Sequence, residues 1–214
     1  MEPELLVLRP SPPKERADAA RNRAAVLAAA AELFRRHGVD GVSMDAVAAA
    51  AGVGKGTLFR RFTDKAGLAV ALLDAREREL QEAILFGPAP LGPGSAPAGT
   101  APGGTAPADA PSARERLRAF AGAYLDYVLA HLDLVRMSET GSPGARYRTG
   151  AYRFWHRHVA ILLAGRADPD ADAHALLAPL AAEHLRAVVA ELGEERARRS
   201  TLALVDALTV PAGG

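Results

Sequence analysis

The chain has 214 residues, 49% of them hydrophobic, with no cysteine and a formal net charge of +1. That size and apolar content suffice to bury a core in one large domain or two small ones, and the lack of cysteine excludes disulfides, thiolate metal sites and cysteine catalysis. Alanine supplies much of the apolar content and favours helix; helix-period stripes recur and few segments alternate as half-buried strands do, so an all-α fold is expected.

In chain order, residues 1–20 read as a flexible arm. Leu5 to Leu8 are apolar, but acids precede them and Pro10, Pro12 and Pro13 follow, which is not the pattern of a signal peptide. No apolar run nears the roughly 20 residues of a membrane span, so a cytoplasmic protein without a membrane partner is expected. A first helix is predicted from Arg21 to His37, on the spacing of Leu27, Ala30, Ala31 and Phe34, with Gly38 as its left-handed stop. Ser43 reads as the N-cap of a short helix through Ala51, with Asp45 favourably placed in the first turn. Gly52 ends it. A second short helix begins near Gly54 or Lys55, with Leu58 and Phe62 on one face, and Asp64 caps a longer helix reaching Phe86.

Residues 87–111 differ in kind. About half are Pro or Gly and most of the rest Ala, Ser or Thr, too little side-chain area to offset ordering, so a disordered linker is expected. Helices resume at Ser112, with a stripe of Leu117, Phe120, Tyr124, Tyr127, Val128 and Leu132. A helix over Tyr147–Ala164 carries Phe154, Trp155 and Ile161. Helices over Ala173–Leu192, kinked at Pro179, and Glu194–Leu208 close the chain.

Charge is uneven. Between Lys14 and Lys65 ten basic residues face six acids, a local +4 that the rest of the chain must balance with −3, as expected if one end meets phosphate. A solvated basic surface explains the same numbers, and is the simpler account of Arg35 and Arg36. Within this section, VSMDAVAAAAGVGKGTLFRRF, Val42 to Phe62, is two short helices joined by a tight glycine turn. Such a pair lets the second helix enter the major groove while the first braces it. With AAAELFRRHGVDG before it and TDKAGL after it, the stretch from Arg23 to Leu72 resembles the DNA-binding domain of the TetR family of transcriptional repressors.

The resemblance implies a helix-turn-helix domain over residues 21–66 and a C-terminal helical regulatory and dimerisation domain over 67–214. It implies a homodimer on a palindromic operator, released by a small-molecule effector, with no cofactor, metal or enzymatic activity. Ser43, Lys55, Gly56, Thr57, Phe59, Arg60, Arg61 and Lys65 are the candidate DNA contacts: Lys55, Thr57 and Lys65 for phosphate, Arg60 or Arg61 for guanine edges. The family commonly has Ser where Gly54 stands and Tyr where Phe59 stands, so two hydroxyls are missing here. Arg16, Arg21 and Arg23 are candidates for a phosphate-contacting arm, although solubility explains them equally well.

Tyr124, Tyr127, Met137, Tyr147, Phe154 and Trp155 are candidate effector-pocket residues, with ordinary core as the competing reading. Leu177, Leu180, Val188, Leu204, Val205 and Leu208 are candidates for a dimer interface between the last two helices, against the reading that they only close the chain's own core. AGVGKGT, Ala51 to Thr57, fails as a phosphate-binding loop, since it has Ala49 where Gly and Gly56 where Ser or Thr is required. His156 and His158 lie two apart on a helix and point apart, so they are not expected to share a metal. Asp126, His131, Ser138 and Glu139 form no recognisable nucleophile, base and orienter set.

Overall fold

The computed structural model describes residues 13–94 and 110–209. The first twelve residues of the expected arm, and 95–109 of the expected linker, lie outside them. The chain divides into two compact units, Met1–Ala71 and Leu72–Gly214.

The first unit holds α1 (Pro13–His37), α2 (Met44–Ala50), α3 (Lys55–Phe62) and the start of α4 (Lys65–Phe86). Helix α1 begins eight residues before the expected Arg21. Proline is well tolerated in a first helical turn, where its missing N–H has no intrahelical partner to lose, and nothing from Lys14 to Ala20 opposes helix. At the other end Gly38 adopts φ +69° and its N–H reaches the Phe34 carbonyl at 2.9 Å, the expected left-handed stop. Val26, Ala30 and Phe34 bury one face of α1 in a core completed by Val39, Val42, Val47, Leu58, Phe62 and Leu68. Gly67 is required by close approach, because a Cβ there would lie 2.1 Å from the Phe62 carbonyl oxygen.

The second unit contains the rest of α4 with α5 (Ala113–Ala130), α6 (Leu132–Thr140), α7 (Ala145–Arg148), α8 (Gly150–Leu162), α9 (Pro169–Leu177), a 3-10 turn (Ala178–Leu180), α10 (Ala182–Leu192) and α11 (Glu194–Thr209). Ser112 starts α5 with a capping box to Glu115. Two long expected helices are each broken. The one over 147–164 becomes α7 and α8, because Thr149 is extended (ψ 147°) and its hydroxyl caps Tyr152 N–H at 3.1 Å. The one over 173–192 is interrupted at Pro179, where the 3-10 turn hands over to an extended Ala181. Before the undescribed stretch, α4 ends at Phe86, and Leu91 then packs against the core.

Phe120 and Trp155 are the largest side chains fully buried in this core, with ring centroids 6.2 Å apart. A buried ion pair braces the helices beside it. Arg146 is 7% exposed; its Nη1 lies 2.9 Å from Glu139 Oε1 and its Nη2 donates to the Leu177 carbonyl at 2.7 Å. Glu139 Oε2 in turn accepts from Ala182 N–H at 2.8 Å. One pair thus joins α6, α7, the end of α9 and the start of α10. Burial raises the Glu139 carboxyl above the ordinary carboxylate value, against the pull of Arg146 and the Ala182 amide.

His158 packs on Phe120 at 5.3 Å, and its buried Nε2 has no hydrogen-bond partner among the described residues. Burial, aided by Arg116, pushes it down to about 4 from 6.5. The unfolded chain therefore binds the proton more readily, and this contribution to stability is lost as pH falls from 6.5 toward about 4. Denaturant titration between neutral pH and about pH 4.5 should show that loss in the wild type and a flatter profile in His158→Leu. Equal acid sensitivity in both would rule out His158 as a source.

Candidate nucleic-acid interface

Ser43 is extended (φ −91°, ψ 155°) and its Oγ accepts from Ala46 N–H at 3.1 Å, which fixes the start of α2. Gly52 at φ +65° makes the tight turn, and α3 leaves it from Gly54. Successive helical residues step about 100°, so Leu58 and Phe62 can face inward together; they are 1% and 5% exposed. The opposite face of α3 carries Lys55, Gly56, Thr57, Phe59, Arg60 and Arg61, all exposed. The structure therefore gathers six of the eight expected contact residues on one short helix and places Ser43 at the N-terminus of its bracing helix.

These side chains differ in what already occupies them. Thr57 and Arg60 have no side-chain polar partner among the described residues. Phe59, 44% exposed, offers an apolar ring where a hydroxyl is missing. Lys55 Nζ donates to Asp45 Oδ2 at 2.6 Å, an exposed pair of small energetic weight that phosphate can displace. Arg61 donates to the Ala19 carbonyl at 3.0 Å, bracing α3 against the early turns of α1. Lys65 is half-buried, and its ammonium donates to the carbonyls of Val39 at 2.9 Å, Val42 at 2.8 Å and Asp40 at 3.4 Å. It clamps the α1–α2 loop to the start of α4. Arg35 and Arg36 both pair with Glu32, as solvated surface residues do.

In the second unit, four candidate pocket residues share one aromatic cluster: Tyr124 lies 5.8 Å from Tyr127 and 5.7 Å from Trp155, and Phe154 lies 5.1 Å from Trp155. Tyr124 and Trp155 are core residues at 3% and 2% exposure; Met137 is half-buried. Tyr147 belongs elsewhere, exposed and packed on Tyr152 and His174. His156 and His158 do diverge: His156 meets His174 of α9, ring centroids 4.1 Å apart, and its Nε2 donates to the Asp170 carbonyl at 3.1 Å. Two residues of this unit escaped the sequence reading, His174 and Glu77. For Glu77 a signal existed, since it stands on the apolar stripe of α4.

The expected interface set needs correction. Leu177 of α9, Leu180 of the 3-10 turn and Val205 of α11 are at most 1% exposed and belong to the chain's own core. Val188 and Leu208 are half-buried, and only Leu204 is exposed. Among the described residues, no helix is long and apolar enough to cross a membrane.

Residues 26–72 match the family described as bacterial regulatory proteins, tetR family. Over 61 residues the chain is 43% identical to the DNA-binding transcriptional repressor TetR of Mycobacteroides abscessus; the match covers 28% of this chain and 32%, about a third, of that relative's length. Similar solved structures extend over most of the chain. A TetR-family transcriptional regulator from Pectobacterium atrosepticum has a TM-score of 0.58 at 22% identity, covering 91% of this chain and 95% of that one. NalD, the secondary repressor of the MexAB-OprM multidrug efflux pump in Pseudomonas aeruginosa, has a TM-score of 0.53 at 20% identity, covering 92% and 100%. A regulator of the same family from Streptomyces coelicolor gives 0.54 at 21% identity, covering 94% and 95%. At these identities the likeness is one of fold.

Proposed function

We propose that the chain, whose residues 26–72 match the tetR family of bacterial regulatory proteins, is a sequence-specific transcriptional repressor that binds a palindromic operator as a homodimer and is released by a small effector. The observation that carries this reading is α3. It presents donors and an aromatic ring on one exposed face while Leu58 and Phe62 lock the other into the domain. Arg60, without a side-chain polar partner among the described residues, is the residue for a base edge. Thr57 and Lys55 hold phosphate, and the Ser43 hydroxyl, its oxygen already an acceptor, still has a hydrogen to donate. Residues 21–66 serve as the DNA-binding domain and 67–214 as the regulatory and dimerisation domain.

Selection of bound sequences from random duplex DNA tests the class. A palindromic consensus is expected, and recovery of unrelated sequences would defeat it. On that consensus, Lys55→Ala should weaken binding and flatten the salt dependence by about 0.9 in log-log slope, the value for a single neutralised phosphate. Arg60→Ala should instead relax preference at one base pair, at about 1–3 kcal/mol. Lys65→Ala removes a clamp on three carbonyls, so it should act mainly by lowering the melting temperature. Mobility-shift titrations over a salt series separate the three, and unchanged affinity in both Lys55→Ala and Arg60→Ala would remove α3 as the reading element.

A further inference from the structure

His156 and His158 diverge, but His156 of α8 has a second histidine beside it. His174 of α9 faces it with ring centroids 4.1 Å apart and ring planes inclined at 40°. Solvent reaches both, since His174 is exposed and His156 half-buried. One nitrogen of each ring is anchored. His156 Nε2 bonds the Asp170 carbonyl at 3.1 Å; a carbonyl only accepts, so Nε2 carries the hydrogen and Nδ1 of the neutral ring keeps a lone pair. His174 Nδ1 lies 2.7 Å from the Tyr152 hydroxyl. A hydroxyl accepts as well as donates, so the tautomer with Nδ1–H on the Tyr152 oxygen and a lone pair on Nε2 is open to His174. Neither His156 Nδ1 nor His174 Nε2 has a hydrogen-bond partner among the described residues. Tyr152, 5% exposed, stacks on His174 at 5.8 Å and on His156 at 6.3 Å, which holds the two rings side by side.

An imidazole anchored through one nitrogen and bare at the other is the form that ligates metal, because the anchoring partner fixes both tautomer and ring orientation. A metal about 2.0–2.1 Å from one nitrogen of a ring stands about 3 Å from the ring centre, so two rings on one metal have centroids about 4.5–5 Å apart. The observed 4.1 Å is a small side-chain rotation away. Local charge favours a cation. Asp170, one turn before His174 on the same face of α9, is exposed and has no ion pair among the described residues. Arg146, which lies over the Tyr152 ring, is neutralised by Glu139. No three histidines or carboxylates converge among the described residues, so water fills the remaining positions and the site is open. Imidazole ligands suit Cu²⁺, Ni²⁺ and Zn²⁺, whereas Mg²⁺ and Ca²⁺ take oxygen.

We propose that His156 and His174 form a two-histidine site for a divalent transition-metal ion, Cu²⁺, Ni²⁺ or Zn²⁺, which ties α8 to α9. The site does not rest on the functional reading above. Calorimetric titration of the full chain, free of any histidine tag and stripped with chelator, with CuCl2, NiCl2, ZnCl2 and MgCl2 tests it. At least one transition-metal ion should bind at one per chain and raise the melting temperature, and Mg²⁺ should do neither. His156→Gln and His174→Gln should each weaken that binding at least about tenfold. The double variant should bind no more weakly than either single one, because losing one ring already breaks the chelate. It keeps four of the six histidines, so binding by those alone would persist undiminished in it. If a variant does not fold, electron paramagnetic resonance of the Cu²⁺-loaded wild type decides, two imidazoles splitting the signal by two nitrogens and a lone histidine by one. No binding of any of the three ions, Mg²⁺ binding as tight as theirs, wild-type affinity in either single variant, losses that add in the double variant, or splitting by one nitrogen would each overturn the site.

Discussion

Arg146→Met is expected to destabilise the protein by about 3–5 kcal/mol, the range for removing one partner of a buried ion pair. Methionine fills much of the same volume, so the loss is electrostatic and polar. Glu139 would keep only the Ala182 N–H, and the Leu177 carbonyl would be left without its donor. The charged carboxylate left behind would rather be protonated, and its folded-state value, already raised by burial, should rise further. A carboxyl raised in the folded state favours folding at low pH and loses that contribution as pH climbs through the folded value. The defect in Arg146→Met should therefore be smaller at about pH 5.5 than at about pH 8.

Adding Glu139→Gln removes the stranded charge while an amide oxygen still accepts from Ala182 N–H. The double variant should recover much of the stability and abolish the pH dependence, because removing both charges of a buried pair is often close to neutral. Urea unfolding followed by circular dichroism at both pH values checks this. An Arg146→Met variant within about 1 kcal/mol of wild type, the size of an exposed pair, would show that the pair braces nothing. The brace also holds Tyr152, whose ring lies 5.3 Å from Arg146, and the α6–α10 junction.

The helix-turn-helix was legible in the sequence because its determinants are local. Ser43 caps three residues ahead, Gly38 and Gly52 take left-handed conformations at their turns, and Leu58 and Phe62 are four apart. What side chains already hold was not legible, since those partners are distant in sequence. Lys65 looks like any exposed lysine at a helix start until the carbonyls of Val39 and Val42 are seen to converge on it. Nothing in the sequence near Arg61 points to its bond with the Ala19 carbonyl, which lies in a stretch read as flexible arm. In the second unit the stripes were visible but their allocation was not, because one residue of helical rotation separates an inward from an outward leucine. Val205 closes the core, and Leu204, about 100° away, faces out.

That difference sharpens the expected behaviour of the proposed dimer. Val205→Glu would place a charge in the chain's own core and unfold it, so it cannot report on association. Leu204, 39% exposed on α11, and Val188, half-buried on α10, are the remaining candidates for a face that a second copy covers. A two-fold interface sets each substitution twice into one junction, so Leu204→Glu adds two carboxylates to a surface that must lose water. The exposed position tolerates glutamate in the separate chain, and Leu204→Glu alone should keep the wild-type melting profile at low concentration. Combined with Val188→Glu it should sediment as a folded monomer. A single helix-turn-helix then meets only half of a palindromic site. Operator binding should fall toward the level of random DNA, a drop of about a thousandfold or more. Sedimentation velocity beside a mobility-shift titration decides the matter: a double variant that sediments as wild type does, or a wild type that is a monomer at micromolar concentration with and without operator, would remove α10 and α11 as the interface.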